Sequence, residues 1–200
     1  MTKSLVQSGY LSPQIVADKA SQVAEGLEYL GRGPSLSKLQ SAAALATLGH
    51  IKQVERLDLY NLDTSSVPAE ELSSLVKCSD VVGIARVNGG LAPVLSSVQC
   101  GRLHIHSTSL STADTQQLVA AMDTRVKWVT LCGSVTLDME TLTQYDGEGV
   151  CGEVKMNGIS ILRYGNQVKK WAENMGWKIE EKSDASGLIT KIRIKRLLFF

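Results

Sequence analysis

Residues 98–122, "VQCGRLHIHSTSLSTADTQQLVAAM", hold a short run of alternating apolar and polar residues followed by a capped amphipathic helix. Whether this stretch is a lone strand and helix or one copy of a repeat decides the fold. The same grammar recurs on both sides of it. Upstream are "VERLDLYNL" with "SSVPAEELSSLVKC", and "VVGIARV" with "LAPVLSSVQC". Downstream are "KWVTLCGSV" with "DMETLTQY", and "GEVKMNG" with "ILRYGNQVKKWAENMG". In the first of these helices Ser66 serves as cap, Pro68 and acidic residues occupy the first turn, and Leu72, Leu75 and Val76 form an apolar stripe.

Aligning the strands on their apolar-x-apolar cores pairs Leu57/Leu59, Val82/Ile84, Leu103/Ile105, Val129/Leu131 and Val154/Met156, at separations of 25, 21, 26 and 25 residues. Five strand-helix units at this spacing fall inside the roughly 20 to 29 residue period of leucine-rich repeats. Over residues 54–176 the chain resembles that family, above all the helix-bearing repeats of ribonuclease-inhibitor-like proteins and of the sensor ends of NOD-like immune receptors. Cys78, Cys100 and Cys151 recur just before a strand, where a small thiol fits a tight turn as packing. One departure is plain: the Asn or Cys of the family's hydrogen-bonded ladder is replaced by Leu62, Val87, Thr108, Ser134 and Ile159. The repeats are divergent.

The resemblance implies an α/β fold: a short leucine-rich-repeat solenoid with a parallel sheet on one side and helices on the other. Its ends need caps, because every internal repeat leaves a face open to a neighbour. Residues 1–53 read as a helical cap. One helix starts at Ser12 and Pro13, carries Ile15, Val16, Ala20, Val23, Leu27 and Leu30, and stops at Gly31. A second takes Ser35 or Ser37 as cap, places Leu36, Leu39, Ala43 and Leu48 on one face, and stops at Gly49. Residues 177–200 contain "WKIEEKSDASGLITKIRIKR", a strand, a turn and a strand that would close the sheet as a hairpin. The three parts form one continuous domain.

Composition narrows the function. Lys plus Arg number 21 and Asp plus Glu 20, so a net charge of +1 exerts no global pull on nucleic acid or acidic membranes. The start has no apolar core for a secretory signal, and no segment approaches the eighteen or so apolar residues of a membrane span, which points to the cytoplasm. Cys78, Cys100, Cys132 and Cys151 form no CxxC pair, so neither a zinc ribbon nor a redox motif is indicated.

Catalytic chemistry has little to work with. The three histidines are His50, His104 and His106, and no nucleophile elbow, P-loop or dinucleotide fingerprint follows a strand. "HIH" puts His104 and His106 on one strand face, where two imidazoles could grip a metal; a third ligand is not visible, and two polar positions alternating with Leu103 and Ile105 explain them as well. "DVVGIARVNGG" reads as a strand and short loop rather than a phosphate cradle, since Pro93 follows in the next helix and no Lys or Thr is placed for phosphate. Lys191, Arg193 and Lys195 share one strand face, either solvated and edge-protecting or a site for an acidic partner. Trp171 and Trp177 read as core that seals the last helix.

The expected function is therefore a non-enzymatic interaction module that needs no cofactor or metal and binds a protein rather than nucleic acid or membrane. The family resemblance implies a part in innate immune signalling. Alternation gives the candidate binding face: Arg56, Asp58 and Tyr60, then Arg102, His104 and His106, then Trp128, Thr130 and Cys132, then Glu153, Lys155 and Asn157. Asp58, Tyr60, Arg102, His104, His106, Trp128, Thr130 and Lys155 are the contact residues expected of that face, with Trp128 as its anchor. The competing expectation is a compact α/β enzyme or phosphate-binding regulator, with its site at the carboxyl ends of the strands near "NGG" or "STS".

Overall fold

Alternation sorts the side chains of each strand onto two faces, and in the computed structural model one of those faces is the core. The structure describes residues 35–37, 54–60, 64 and 79–197. The strands are β1 (Ser35–Ser37), β2 (Val54–Tyr60), β3 (Ser79–Ala85), β4 (Arg102–His106), β5 (Trp128–Cys132), β6 (Glu153–Asn157), β7 (Lys178–Ser183) and β8 (Ile189–Lys195). They join in one sheet of order β1-β2-β3-β4-β5-β6-β8-β7. The first six run parallel, each beside its sequence neighbour. The last two form a hairpin whose second strand, β8, pairs antiparallel with β6. The helices are α1 (Ala92–Ser97), α2 (Thr112–Thr124), α3 (Met139–Leu142) and α4 (Ile159–Asn174).

Strand pairing follows the sequence alignment residue for residue. Leu57 stands opposite Val82, Val82 opposite Leu103, Leu103 opposite Val129, and Val129 opposite Val154. The second row runs Leu59, Ile84, Ile105, Leu131, Met156 and on to Ile192. From Val82 in the first row and Leu59 in the second, these residues are buried and share one cluster with Leu95, Leu118, Met122, Leu142 and Val168 of the helices, so the helices cover this face of the sheet. Trp171 and Trp177 belong to the same cluster, each edge-on to the buried ring of Tyr145 at 6.3 and 6.2 Å between centroids. The Trp171 indole N–H donates to the Tyr145 carbonyl at 2.9 Å, and the Tyr145 hydroxyl donates to the Cys151 carbonyl at 2.9 Å.

Each of β3 to β6 is left by the same backbone device. The residue after the strand has positive φ: Arg86 (53°), Ser107 (46°), Gly133 (68°) and Gly158 (76°). A single left-handed residue turns the chain out of the sheet plane toward the helix layer, a conformation that suits glycine and strains Arg86 and Ser107.

The loops that follow are joined by buried polar side chains. Thr64 Oγ1 donates to the carbonyls of Asn88 (3.0 Å) and Gly90 (2.9 Å). The Leu91 N–H donates to Asp114 Oδ1 at 2.7 Å, and the Asp138 N–H donates to Thr115 Oγ1 at 3.3 Å. Ser160 Oγ donates to the Gly133 carbonyl at 2.8 Å and accepts the Val135 N–H at 3.0 Å. In each case one unit satisfies the loop backbone of the next or the previous one, which buried polar groups require.

Residues 35–37 require a correction. Ser35 or Ser37 was expected to cap a helix with Leu36 on its face, but these residues form β1, with Leu36 opposite Leu59. The sheet therefore starts inside residues 1–53, which are not a purely helical cap. Ser-Leu-Ser satisfies strand alternation and helix-start grammar equally, and only pairing with β2 distinguishes them. The expected helix at residues 12–31, the remainder of the second one, and the helix after β2 with Cys78 lie outside the described residues.

Candidate functional site: the open face of the sheet

The strand residues between the buried rows point away from the helices. Register arranges them in three lines across β4, β5 and β6: Arg102, Trp128 and Glu153; His104, Thr130 and Lys155; His106, Cys132 and Asn157. Arg102, His106 and Trp128 are exposed, while His104, Thr130, Cys132, Lys155 and Asn157 are half-buried. The structure thus brings Arg102, His104, His106, Trp128, Thr130 and Lys155 into one patch, as alternation required. Asp58 and Tyr60 fall on the same lines through β2, opposite Gly83 and Ala85 of β3, but their side chains, with that of Arg56, lie outside the described residues.

Trp128 is 40% exposed, against 1% for Val129 and 0% for Leu131 on the opposite face. The Arg102 guanidinium lies over its ring, 5.2 Å from the centroid. A flat apolar ring held beside a cation is the kind of group that dominates protein interfaces.

Sequence reading missed that the terminal hairpin continues this face. Lys195, Arg193 and Lys191 of β8 stand opposite Glu153, Lys155 and Asn157, and Lys178, Glu180 and Lys182 of β7 stand opposite those three in turn. The alternation of "KIEEKS" and "ITKIRIK" was visible; that β8 rather than β7 would lie beside β6 was not. Two carboxylates tie the charges together. Glu153 pairs with Lys155 at 2.7 Å and with Arg193. Burial alone would raise its pKa, but these two cations outweigh it and hold the carboxyl below its usual range. Glu180 pairs with Lys195 (2.7 Å), Lys178 (3.0 Å) and Arg193 (3.6 Å), and hydrogen bonds from Lys195 and then Lys178 draw its pKa down to about 2.

Cys132 is the thiol of this face. It is free and half-buried, the Asn157 side-chain amide donates to its sulfur at 3.5 Å, and His106 stands opposite it on β4. The amide meets the sulfur rather than the imidazole, so the row lacks the third group that would orient a base for nucleophilic catalysis. Cys100 and Cys151 sit elsewhere, each two residues before its strand, with 4% and 0% exposure. In the intervening unit Val126 holds that place, also at 0%, and the interchange of valine and cysteine marks it as a packing position.

Among the described residues, no group of three or more His, Cys, Asp or Glu is arranged to hold a metal ion, and no helix is long and apolar enough to cross a membrane. A groove of 560 Å³ opens between α3 and α4, lined by Met139, Tyr145, Trp171 and Met175 with Glu140 and Lys170 on its rim. A cavity of 290 Å³ lies between α4 and the hairpin turn, and a third, also 290 Å³, adjoins Trp177 and Arg196. Compared with protein-family models, curated proteins and solved structures, the chain shows no match.

Proposed function

We propose that the chain is a divergent leucine-rich-repeat module whose open sheet face binds a protein partner and which carries out no chemical step. The observation that carries this reading is Trp128, an aromatic ring exposed on the helix-free face beside Arg102. Support for the repeat architecture comes from the in-register parallel strands and from the left-handed turn that closes each of β3 to β6. Stacked units of this kind present a continuous surface suited to macromolecules. The resemblance to NOD-like receptor repeats extends the proposal to recognition in innate immune signalling in the cytoplasm.

Affinity capture from native cells, followed by titration of the captured partner against wild type and Trp128→Ala, tests it. Loss of the ring should weaken binding by about 2 kcal/mol or more. Unchanged affinity would move the interface to the helix layer. A thermal-shift response to nucleotides or divalent metals would instead favour a ligand-binding enzyme.

A further inference from the structure

The open face is not electrically mixed in the way the whole chain is. From β4 to β8 its described side chains include Arg102 and Lys155, the β8 cations Lys191, Arg193 and Lys195, and the β7 cations Lys178 and Lys182. Against these seven stand two carboxylates, Glu153 and Glu180. The excess of five positive charges sits on a chain whose total is +1, so acidic residues are concentrated elsewhere.

The pairing raises the potential further. Lys178 is directly opposite Lys195, Lys182 opposite Lys191, and Arg193 opposite Lys155. Like charges across neighbouring strands destabilise a sheet. Glu180 and Glu153 relieve the first and third of these pairs. No ion pair among the described residues engages Lys182 or Lys191. A surface arranged for stability alone would place a carboxylate at one of them.

Building on the interaction-module reading, we propose that the face from β4 to β7 is a docking surface for an acidic polypeptide segment. Five strands at about 4.8 Å spacing span about 19 Å, the length of about six extended residues. Carboxylates of such a segment would reach Lys182 and Lys191 at one end and the Arg102–Trp128 pair at the other, where an apolar neighbour covers the ring. A nucleic acid fits less well. Glu153 and Glu180 interrupt the cations that a phosphate chain would track, and the Arg102 guanidinium occupies the Trp128 ring face on which a base would stack.

The test uses fluorescence anisotropy with a labelled oligo-glutamate peptide and a labelled oligouridylate of matched charge. The peptide should bind, with affinity falling as salt rises. Lys182→Glu should weaken it about tenfold while raising the melting temperature, because the new carboxylate faces Lys191; a merely structural lysine would not move the two readouts in opposite directions. Glu180→Gln, which frees Lys178 and Lys195, should tighten peptide binding about two- to threefold. Oligouridylate binding as tightly as the peptide, no peptide binding, or peptide affinity unchanged by both variants would overturn the proposal. A captured native partner that is lost with Trp128→Ala yet unaffected by Lys182→Glu would overturn it while leaving the interaction-module reading in place.

Discussion

Asp114 and Leu91 are 23 residues apart in the chain, yet the Leu91 N–H donates to Asp114 Oδ1 at 2.7 Å. Leu91 is the N-cap of α1 and has no side-chain cap of its own, so a carboxylate from the next unit serves its first backbone donor. The other oxygen of Asp114 accepts from the N–H (3.0 Å) and hydroxyl (2.8 Å) of Ser111, which closes the capping box of α2. One buried carboxylate thus starts two helices.

Asp114→Ala should therefore cost about 2 to 3 kcal/mol, because it leaves the buried Leu91 N–H without an acceptor. Asp114→Asn, which keeps an acceptor for Leu91, should recover part of the loss. Urea denaturation of the two variants measures the difference.

Gly133 has φ of 68°, and a Cβ added there would stand 2.5 Å from Ser107 Oγ. Gly133→Ala should destabilise the protein by about 1 to 3 kcal/mol through backbone strain and that contact. Gly152→Ala, where nothing lies within 4 Å of the new carbon, is the control and should stay within about 0.5 kcal/mol.

Burial raises the thiol of Cys100 to a pKa of about 12 and that of Cys151 to about 11, and burial likewise raises the Tyr145 hydroxyl to about 12. All three remain protonated when folded at pH values where the unfolded chain ionises. Their stabilisation is complete below about pH 9 and is lost as pH climbs through 11 to 12. Of the described thiols, a reagent at pH 8 should modify Cys132 before Cys100 and Cys151, which react only as fast as the protein opens. Mass spectrometry of labelled peptides checks the order.

Glu180 behaves oppositely. With its pKa drawn down to about 2 by Lys195 and Lys178, its contribution is present above about pH 4.5 and disappears as pH falls toward 2. Because its side chain is about a third exposed, added salt should weaken the effect. Glu180→Gln should flatten this part of the acid-denaturation profile.

Trp128→Ala should change stability by only about 1 kcal/mol, since the ring is 40% exposed on the helix-free face, where Arg102 lies over it. Trp171→Ala, which empties a site 3% exposed and removes the hydrogen bond to Tyr145, should cost about 3 to 5 kcal/mol. Thermal denaturation of the pair tests whether the two faces of the sheet are assigned correctly.

The strands β2 to β6, their mutual register and the exposure of Trp128 were legible in the sequence. A period of two leaves no freedom once one side of each strand must be buried, and a slip of one residue would have carried Leu103 and Ile105 into water. The burial of Cys100 and Cys151 followed from their recurrence before a strand, and that of Trp171 and Trp177 from their place at the end of the last helix. Tertiary structure decided the rest. β1 is too short for its own pattern to specify, and it exists because β2 offers Ser-Leu-Ser an edge to pair with. Asp114, Thr115 and Ser160 look like ordinary polar residues at helix starts, and their role as fasteners between units depends on distances that only stacking creates. The hairpin was visible as two strands and a turn, but placing β8 beside β6 is what sets Lys191, Arg193 and Lys195 on the face that carries Trp128. Local alternation determines which way a side chain points; strand order determines what it stands beside, and that depends on contacts between residues far apart in the chain.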